Sequence, residues 1–174
     1  MHEKNFVGYE YHSVNVKRNM VSVYTDGYEN FGWQLEGHDY SINAVDSVTL
    51  KFKRDRKIRN KAELTRLQRN FDACVQEIVS LESSKKIKAS VVAYLIGIIG
   101  TAFMAGSVFA VTANRIIPCI VLAIPAFVGW VLPYFLYNSI MKKKTNEVTP
   151  LIDQKYDELY VICEKANGLL DCSI

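Results

Sequence analysis

The chain has 174 residues and a formal net charge of +3, and 49% of its residues are hydrophobic. This length allows one compact domain or two small units, and the small net charge argues against nucleic acid as a partner. Apolar residues concentrate between Ala89 and Met141, whereas Lys, Arg, Asp and Glu concentrate in the rest of the chain. Such a division predicts an integral membrane protein with a cytosolic part.

Residues 1–55 are predicted to form a small cytoplasmic α+β domain. An extended pattern surrounds Tyr9, helical spacing runs from Val21 to Phe31, and a second extended segment begins at Gly32. Three apolar residues alternate with polar ones in the last strand: Val48, Leu50 and Phe52. The expected order is strand, helix, strand, strand, with a turn at Gly37-His38-Asp39 before the last strand.

Residues 5–54 resemble a small bacterial domain of unknown function. The residues that carry the resemblance are Tyr9-Glu10-Tyr11, Gly32-Trp33-Gln34-Leu35 and the strand from Val48 to Lys53. The whole sequence is similar to uncharacterised two-span membrane proteins of Gram-positive bacteria. This resemblance implies no reaction.

Residues 56–88 and 142–174 are predicted to form two cytoplasmic helices. Apolar residues in the first helix recur in alternating steps of three and four, and those of the second helix do the same. The first stripe comprises Leu64, Leu67, Phe71, Cys74, Ile78 and Leu81, and the second Ile152, Tyr156, Leu159, Cys163, Ala166 and Leu170. We expect the two helices to pair as an antiparallel coiled coil, with basic residues of the first beside acidic residues of the second. Self-association through the same stripes is the alternative.

Two uncharged segments, residues 89–112 and 116–141, are each about 24 residues long. About 20 apolar residues suffice to cross a hydrocarbon core of about 30 Å. We therefore predict two transmembrane helices joined by an extracytoplasmic turn at residues 113–115. The expected fold class is a mainly α membrane protein, in which the coiled coil extends a transmembrane hairpin.

Flanking cations predict the orientation of the hairpin. Three lysines precede the first span and three follow the second, whereas the turn holds only Arg115; the six are Lys85, Lys86, Lys88, Lys142, Lys143 and Lys144. Because short loops rich in Lys and Arg stay in the cytoplasm, both termini are expected inside the plasma membrane. The N-terminus also lacks the pattern of a cleavable signal peptide.

Small residues recur every four positions in the first span, and they predict close helix packing. The candidates are Ala93, Gly97, Ala102 and Gly106. They are expected to pack against the second span, with packing between chains as the alternative. Pro125 and Pro133 lie inside the second span and are expected to kink it.

No residue pattern predicts an active site, a metal site or a cofactor. The histidines have no ligand spacing, the glycines of the first span lack the lysine of a phosphate-binding loop, and the four cysteines are expected to be free thiols. Asp26, Glu29 and Asp39 can line a small pocket near Trp33, although solvated charges are the simpler interpretation. The basic run from Lys51 to Lys61 is interpreted as a solvated junction in preference to a lipid-binding patch.

We therefore predict a non-enzymatic scaffold that is anchored in the membrane and presents its small domain on a helical stalk. Its expected partners are the lipid bilayer, an unidentified cytosolic or membrane protein, and further copies of itself. The candidate interaction residues are Phe31, Trp33, Leu64, Leu67, Phe71 and Leu159. Phe31 and Trp33 are expected to form the recognition surface. The alternative function is a subunit of a small oligomeric channel.

Overall fold

The structure is a computed structural model that describes residues 7–40, 46–112 and 116–171. Its elements are β1 (Tyr9–Lys17), a short 3-10 turn (Arg18–Met20), α1 (Val21–Glu29), β2 (Gln34–Tyr40), β3 (Ser47–Asp55), α2 (Lys61–Thr112) and α3 (Ile116–Asp171). The predicted order of strand, helix, strand, strand is confirmed. The predicted turn at Gly37-His38-Asp39 is wrong, because these residues lie inside β2. The pairing register of β2 with β3 shifts between Leu35 and Gly37.

The chain divides into two compact units. The first, which we call the sheet unit, contains the chain up to Gln76 together with the residues from Lys155 onward. The second, the span unit, runs from Glu77 to Gln154. The sheet unit is therefore larger than the predicted domain of residues 1–55, because it takes in the start of α2 and the end of α3.

The three strands form an antiparallel sheet in the order β1-β3-β2. The central strand β3 alternates as its sequence predicts: Val48, Leu50 and Phe52 are buried on one face. Helix α1 packs on this face, where the rings of Tyr28 and Phe52 lie 4.7 Å apart between centroids.

Helix α2 begins directly after Asn60. Asn60 has a φ of 54°, in the left-handed region that Asn tolerates better than most residues. Its carbonyl accepts the N–H of Leu64 at 3.0 Å, which starts the helical hydrogen bonding. The predicted stripe of α2 faces inward, since Leu64, Leu67, Phe71, Cys74 and Ile78 are all buried.

Both long helices contain a segment apolar enough to cross a membrane. Within the span unit they approach closely at Gly100 and Gly129, and Gly106 lies near the side chain of Leu122. The residue later in α2, Gly106, meets the residue earlier in α3, Leu122, so the two segments are antiparallel. Pro125 and Pro133 lie inside α3, which continues through both. The predicted turn at residues 113–115 lies outside the described residues.

Candidate functional site

The six candidate interaction residues are buried inside the sheet unit. Phe31, Leu64 and Phe71 have no exposed surface, and Trp33, Leu67 and Leu159 expose 5–6% of theirs. The prediction that Phe31 and Trp33 form a recognition surface is therefore wrong. The Gly-Trp segment looked like a surface feature because its partners on α2 are distant in sequence.

Phe71 of α2 is the centre of the aromatic core. Its ring lies 5.6–5.9 Å from those of Tyr24, Tyr28 and Phe31 in edge-on or steeply tilted geometry, an arrangement that aromatic pairs favour. Gly27 of α1 lies directly over the same ring: a Cβ at this position would stand 2.3 Å from Phe71 Cζ. The absence of a side chain at Gly27 lets α1 approach α2.

Two polar contacts, one buried and one partly buried, connect Trp33 and Tyr28 to α2. The indole N–H of Trp33 donates to Gln68 Oε1 at 2.9 Å, and the hydroxyl of Tyr28 donates to Asp72 Oδ1 at 3.0 Å. The ring of His12 in β1 stacks against that of Tyr28 and lies tilted against that of Trp33. The indole N–H of Trp33 and the hydroxyl of Tyr28 thus have partners, as buried hydrogen-bonding groups require.

Burial shifts the acidity of this cluster. It raises the pKa of Asp72, although the hydrogen bond from Tyr28 and the charge of His12 act in the opposite direction. Burial and the nearby Asp72 raise the pKa of Tyr24 to about 12, and they raise the pKa of Tyr28 further. Both phenols are therefore uncharged at neutral pH.

Arg54 is a buried cation with three kinds of partner. Its guanidinium donates to Glu10 Oε1 at 2.7 Å and to the carbonyl of Phe31 at 3.1 Å. The same group lies 4.3 Å from the centre of the Trp33 ring, within the range of cation–π attraction. Burial alone would raise the pKa of Glu10, but hydrogen bonds from Lys61 and Arg54 lower it.

The basic run from Lys51 to Lys61 does not form one uncompensated patch. Lys51 pairs with Asp39 at 2.6 Å, and Lys53 lies 3.8 Å from Glu36. Lys61 forms an ion pair with Glu10, as Arg54 does. This pairing agrees with the interpretation of the run as a junction between β3 and α2.

Arg66 and Glu158, two of the charges expected to pair across the helices, form ion pairs within their own helices. Arg66 donates to Glu63 at 2.9 Å on α2, and Lys155 donates to Glu158 at 2.7 Å on α3. One contact between α2 and α3 in the sheet unit is of another kind, since the thiol of Cys74 donates to the carbonyl of Lys155 at 3.2 Å.

The candidate packing residues of the first span have different surroundings. Gly106 lies near Leu122, with 3.7 Å from an ideal Cβ to the leucine side chain, whereas a Cβ on Gly97 would meet nothing within 4 Å. Ala93 is half-buried and Ala102 is exposed. The closest approach is instead at Gly100, which the four-residue spacing missed: a Cβ on Gly129 would stand 2.7 Å from Gly100 Cα.

The three acidic residues considered as the lining of a pocket near Trp33 are dispersed. Asp39 pairs with Lys51 on the sheet, and Glu29 is exposed on α1. Asp26 lines a groove between α1 and α3 that the sequence did not predict, with a volume of about 310 Å³. Among the residues that the structure describes, no group of three His, Cys, Asp or Glu side chains is placed to hold a metal ion.

No protein-family model, no curated protein and no solved structure matches the chain. The resemblance of residues 5–54 to a small bacterial domain stays a prediction.

Proposed function

We propose that the chain is a membrane-anchored, non-enzymatic interaction protein, whose sheet unit lies in the cytoplasm. One observation carries the proposal. Only 11% and 6% of the apolar segments of α2 and α3 are buried within the chain. The core helix of a soluble protein would be mostly buried, and contiguous exposed apolar surface of this extent requires a cover.

The exposed side chains include large aliphatic and aromatic residues on both helices. Ile98 exposes 66% and Phe109 74% of their surface on α2, and Phe127 exposes 60% on α3. Helices satisfy their backbone hydrogen bonds internally, so they can place such side chains in hydrocarbon. A lipid bilayer is the cover that this chemistry favours.

Lysines at one end of the spans support a cytoplasmic location for both termini. The hydrogen bond from Lys144 lowers the pKa of Glu147, and Lys143 of α3 and Lys88 of α2 lower it through their charges. Cations of both helices therefore act on one carboxylate. This end is expected to stay on the cytoplasmic side.

Membrane fractionation and a topology reporter test the proposal. The full chain should remain in the pellet after alkaline carbonate extraction and enter solution only with detergent. A fluorescent protein fused after Ile174 should fold and emit, whereas alkaline phosphatase at the same position should be inactive. Extraction of the chain by carbonate would contradict the anchor. Active phosphatase would contradict the orientation alone.

An antiparallel coiled coil of α2 and α3 is part of the proposal. Its support in the sheet unit is the contact between Cys74 and Lys155, together with burial of stripe residues on both helices, such as Leu67 and Leu159. Phe71 packs on Tyr24 and Tyr28 of α1 as well, so the stripe also forms part of the domain core.

The alternative of a channel subunit has less support. Thr101 and Thr112 donate their hydroxyls to carbonyls of their own helix, at 2.9 Å and 2.8 Å. The hydroxyl donors of these two threonines are therefore already used within α2. Ion conductance of the purified chain in planar bilayers would favour the channel over the anchor.

A further inference from the structure

A groove separates α1 from α3 within the sheet unit. Its volume is about 310 Å³, which is at the small end of the range for ligand pockets. The described residues that line it are Ser22, Val23, Asp26, Gly27, Asn30, Tyr156, Leu159, Tyr160 and Cys163. Helix α1 forms one wall and α3 forms the other.

The wall formed by α1 is rich in hydrogen-bond acceptors. Ser22 and Asp26 of α1 and Asn30, the residue that caps its C-terminus, follow one another at intervals of four residues, which places them along one face. The side-chain amide of Asn30 already donates to the carbonyls of Asp26 and Gly27, at 2.9 Å and 3.4 Å. Both bonds use the side-chain nitrogen of Asn30 as donor, and its Oδ1 takes part in neither of them.

The wall formed by α3 is aromatic. Tyr156 and Tyr160 are also four residues apart, and Tyr160 exposes 68% of its surface. Burial, with a smaller contribution from Cys74, raises the pKa of the neighbouring Cys163 thiol to about 11. At neutral pH this thiol is therefore uncharged, and it adds neither sign of charge to the groove.

The charge of the groove has one sign. None of its described lining residues is Lys, Arg or His, whereas Asp26 supplies a carboxylate. A ligand for this site needs a positive charge that pairs with the carboxylate. It also needs apolar or hydrogen-bond donor groups that contact the tyrosines. Cations bind the faces of aromatic rings through the electrostatic field of the ring.

We propose that the groove between α1 and α3 binds a small organic ammonium ion, held by Asp26 and the tyrosines of α3. The carboxylate opposes the charge, and the rings of Tyr156 and Tyr160 cover the alkyl groups next to the nitrogen. This inference does not depend on membrane insertion, since every lining residue belongs to the sheet unit.

Choline is a suitable probe, because its neutral isostere 3,3-dimethylbutan-1-ol has the same shape without the charge. Equilibrium dialysis of the full chain in maltoside micelles should show saturable binding of choline at one site per chain. The isostere should bind at least about fivefold more weakly, because cation–π attraction and charge pairing are lost. Equal binding of the two probes, or no saturable binding of choline, would overturn the proposal.

Matched variants locate the site. Asp26→Asn and Tyr160→Leu should each weaken choline binding about threefold to tenfold. Glu29→Gln removes an exposed acid from the same helix, and Tyr11→Leu removes a tyrosine that is as exposed as Tyr160, at 68%; neither should change binding. Circular dichroism confirms that each variant is folded. Binding that survives both groove variants, or that falls equally in the controls, would refute the site.

Discussion

Trp33 shows at the scale of one residue how a polar aromatic side chain becomes part of a core. Its ring is covered by the guanidinium of Arg54 at 4.3 Å, and its N–H reaches Gln68 at 2.9 Å. A tryptophan can be buried when its N–H finds an acceptor. The sequence could not indicate this acceptor, because Gln68 lies 35 residues further along the chain.

Gly27→Ala tests the close approach of α1 to Phe71. The new methyl group would stand 2.3 Å from a ring atom, so we expect a loss of about 1–3 kcal/mol in the free energy of unfolding. The measurement is chemical denaturation followed by near-UV circular dichroism. Gly168→Ala is the control, because a Cβ there meets nothing within 4 Å; it should stabilise α3 by up to about 1 kcal/mol. Equal effects of the two substitutions would refute the packing argument.

Asp72→Asn tests the buried carboxyl group. Burial raises the folded-state pKa of Asp72 above 3.8, so the unfolded chain loses this proton at lower pH than the folded chain. The contribution of Asp72 to stability is therefore greatest below pH 3.8 and falls as pH rises through the folded-state pKa. Asparagine keeps an oxygen acceptor for Tyr28 and has no charge to bury.

The variant should therefore melt at a higher temperature than the native chain at pH 7, and the difference should shrink as pH falls toward 3. Thermal melting across this pH range measures it. Asp153→Asn, at an exposed position of α3, serves as the reference. A melting difference that did not change with pH would show that the charge of Asp72 is not responsible.

At the scale of elements, α2 combines two environments in one continuous helix. Its first part gives Leu64 and Phe71 to the core of the sheet unit, and its later part holds Gly100 in the span unit. The sequence predicted the inward stripe because helical periodicity is local. It did not predict that α1 would share this stripe, since Phe71 meets Tyr24 and Tyr28 only after the chain has folded back.

Gly129→Leu tests the packing of the two spans. Gly129 faces Gly100, and a Cβ would stand 2.7 Å from its backbone. Pro133, four residues later, cannot donate to the carbonyl of Gly129, so the α3 backbone lacks one helical hydrogen bond at this contact. We expect the variant to lose about 1–3 kcal/mol of stability in detergent micelles, seen as a lower thermal aggregation temperature.

Gly97→Leu is the matched control for this contact. It adds the same side chain to the other span at a position where a Cβ meets nothing within 4 Å. The control should aggregate at the same temperature as the native chain. If it were as damaging as Gly129→Leu, helix packing at Gly100 and Gly129 would not be the cause.

At the scale of the whole molecule, the sheet unit is assembled from two distant parts of the chain. Residues up to Gln76 and from Lys155 onward form it together. Leu170 of α3 lies close to Gly32, with 3.5 Å from an ideal Cβ to its side chain. The small domain is therefore incomplete without the ends of both long helices.

A fusion of residues 7–76 to residues 155–171 should fold without detergent. Cys74 contacts Lys155 at 3.2 Å, so a Gly/Ser linker of about eight residues, with a root-mean-square span of about 15 Å, can join the parts. The fusion should be monomeric and show a cooperative melting transition. Residues 7–55 alone should show none, since they lack Phe71 and Gln68. Cooperative folding of the short fragment would contradict the extended unit.

The sequence by itself determined the elements whose signal is local. Apolar periodicity marked β3 and the inward face of α2, and two uninterrupted apolar segments marked the span helices, because each pattern depends on near neighbours in the chain. Only the tertiary structure decided which side chains those faces meet. It buried Trp33 and Phe31, brought Gly100 into contact with Gly129 and placed Asp26 and Tyr160 along the same groove. Such contacts join residues far apart in sequence, and they depend on the shapes of both surfaces.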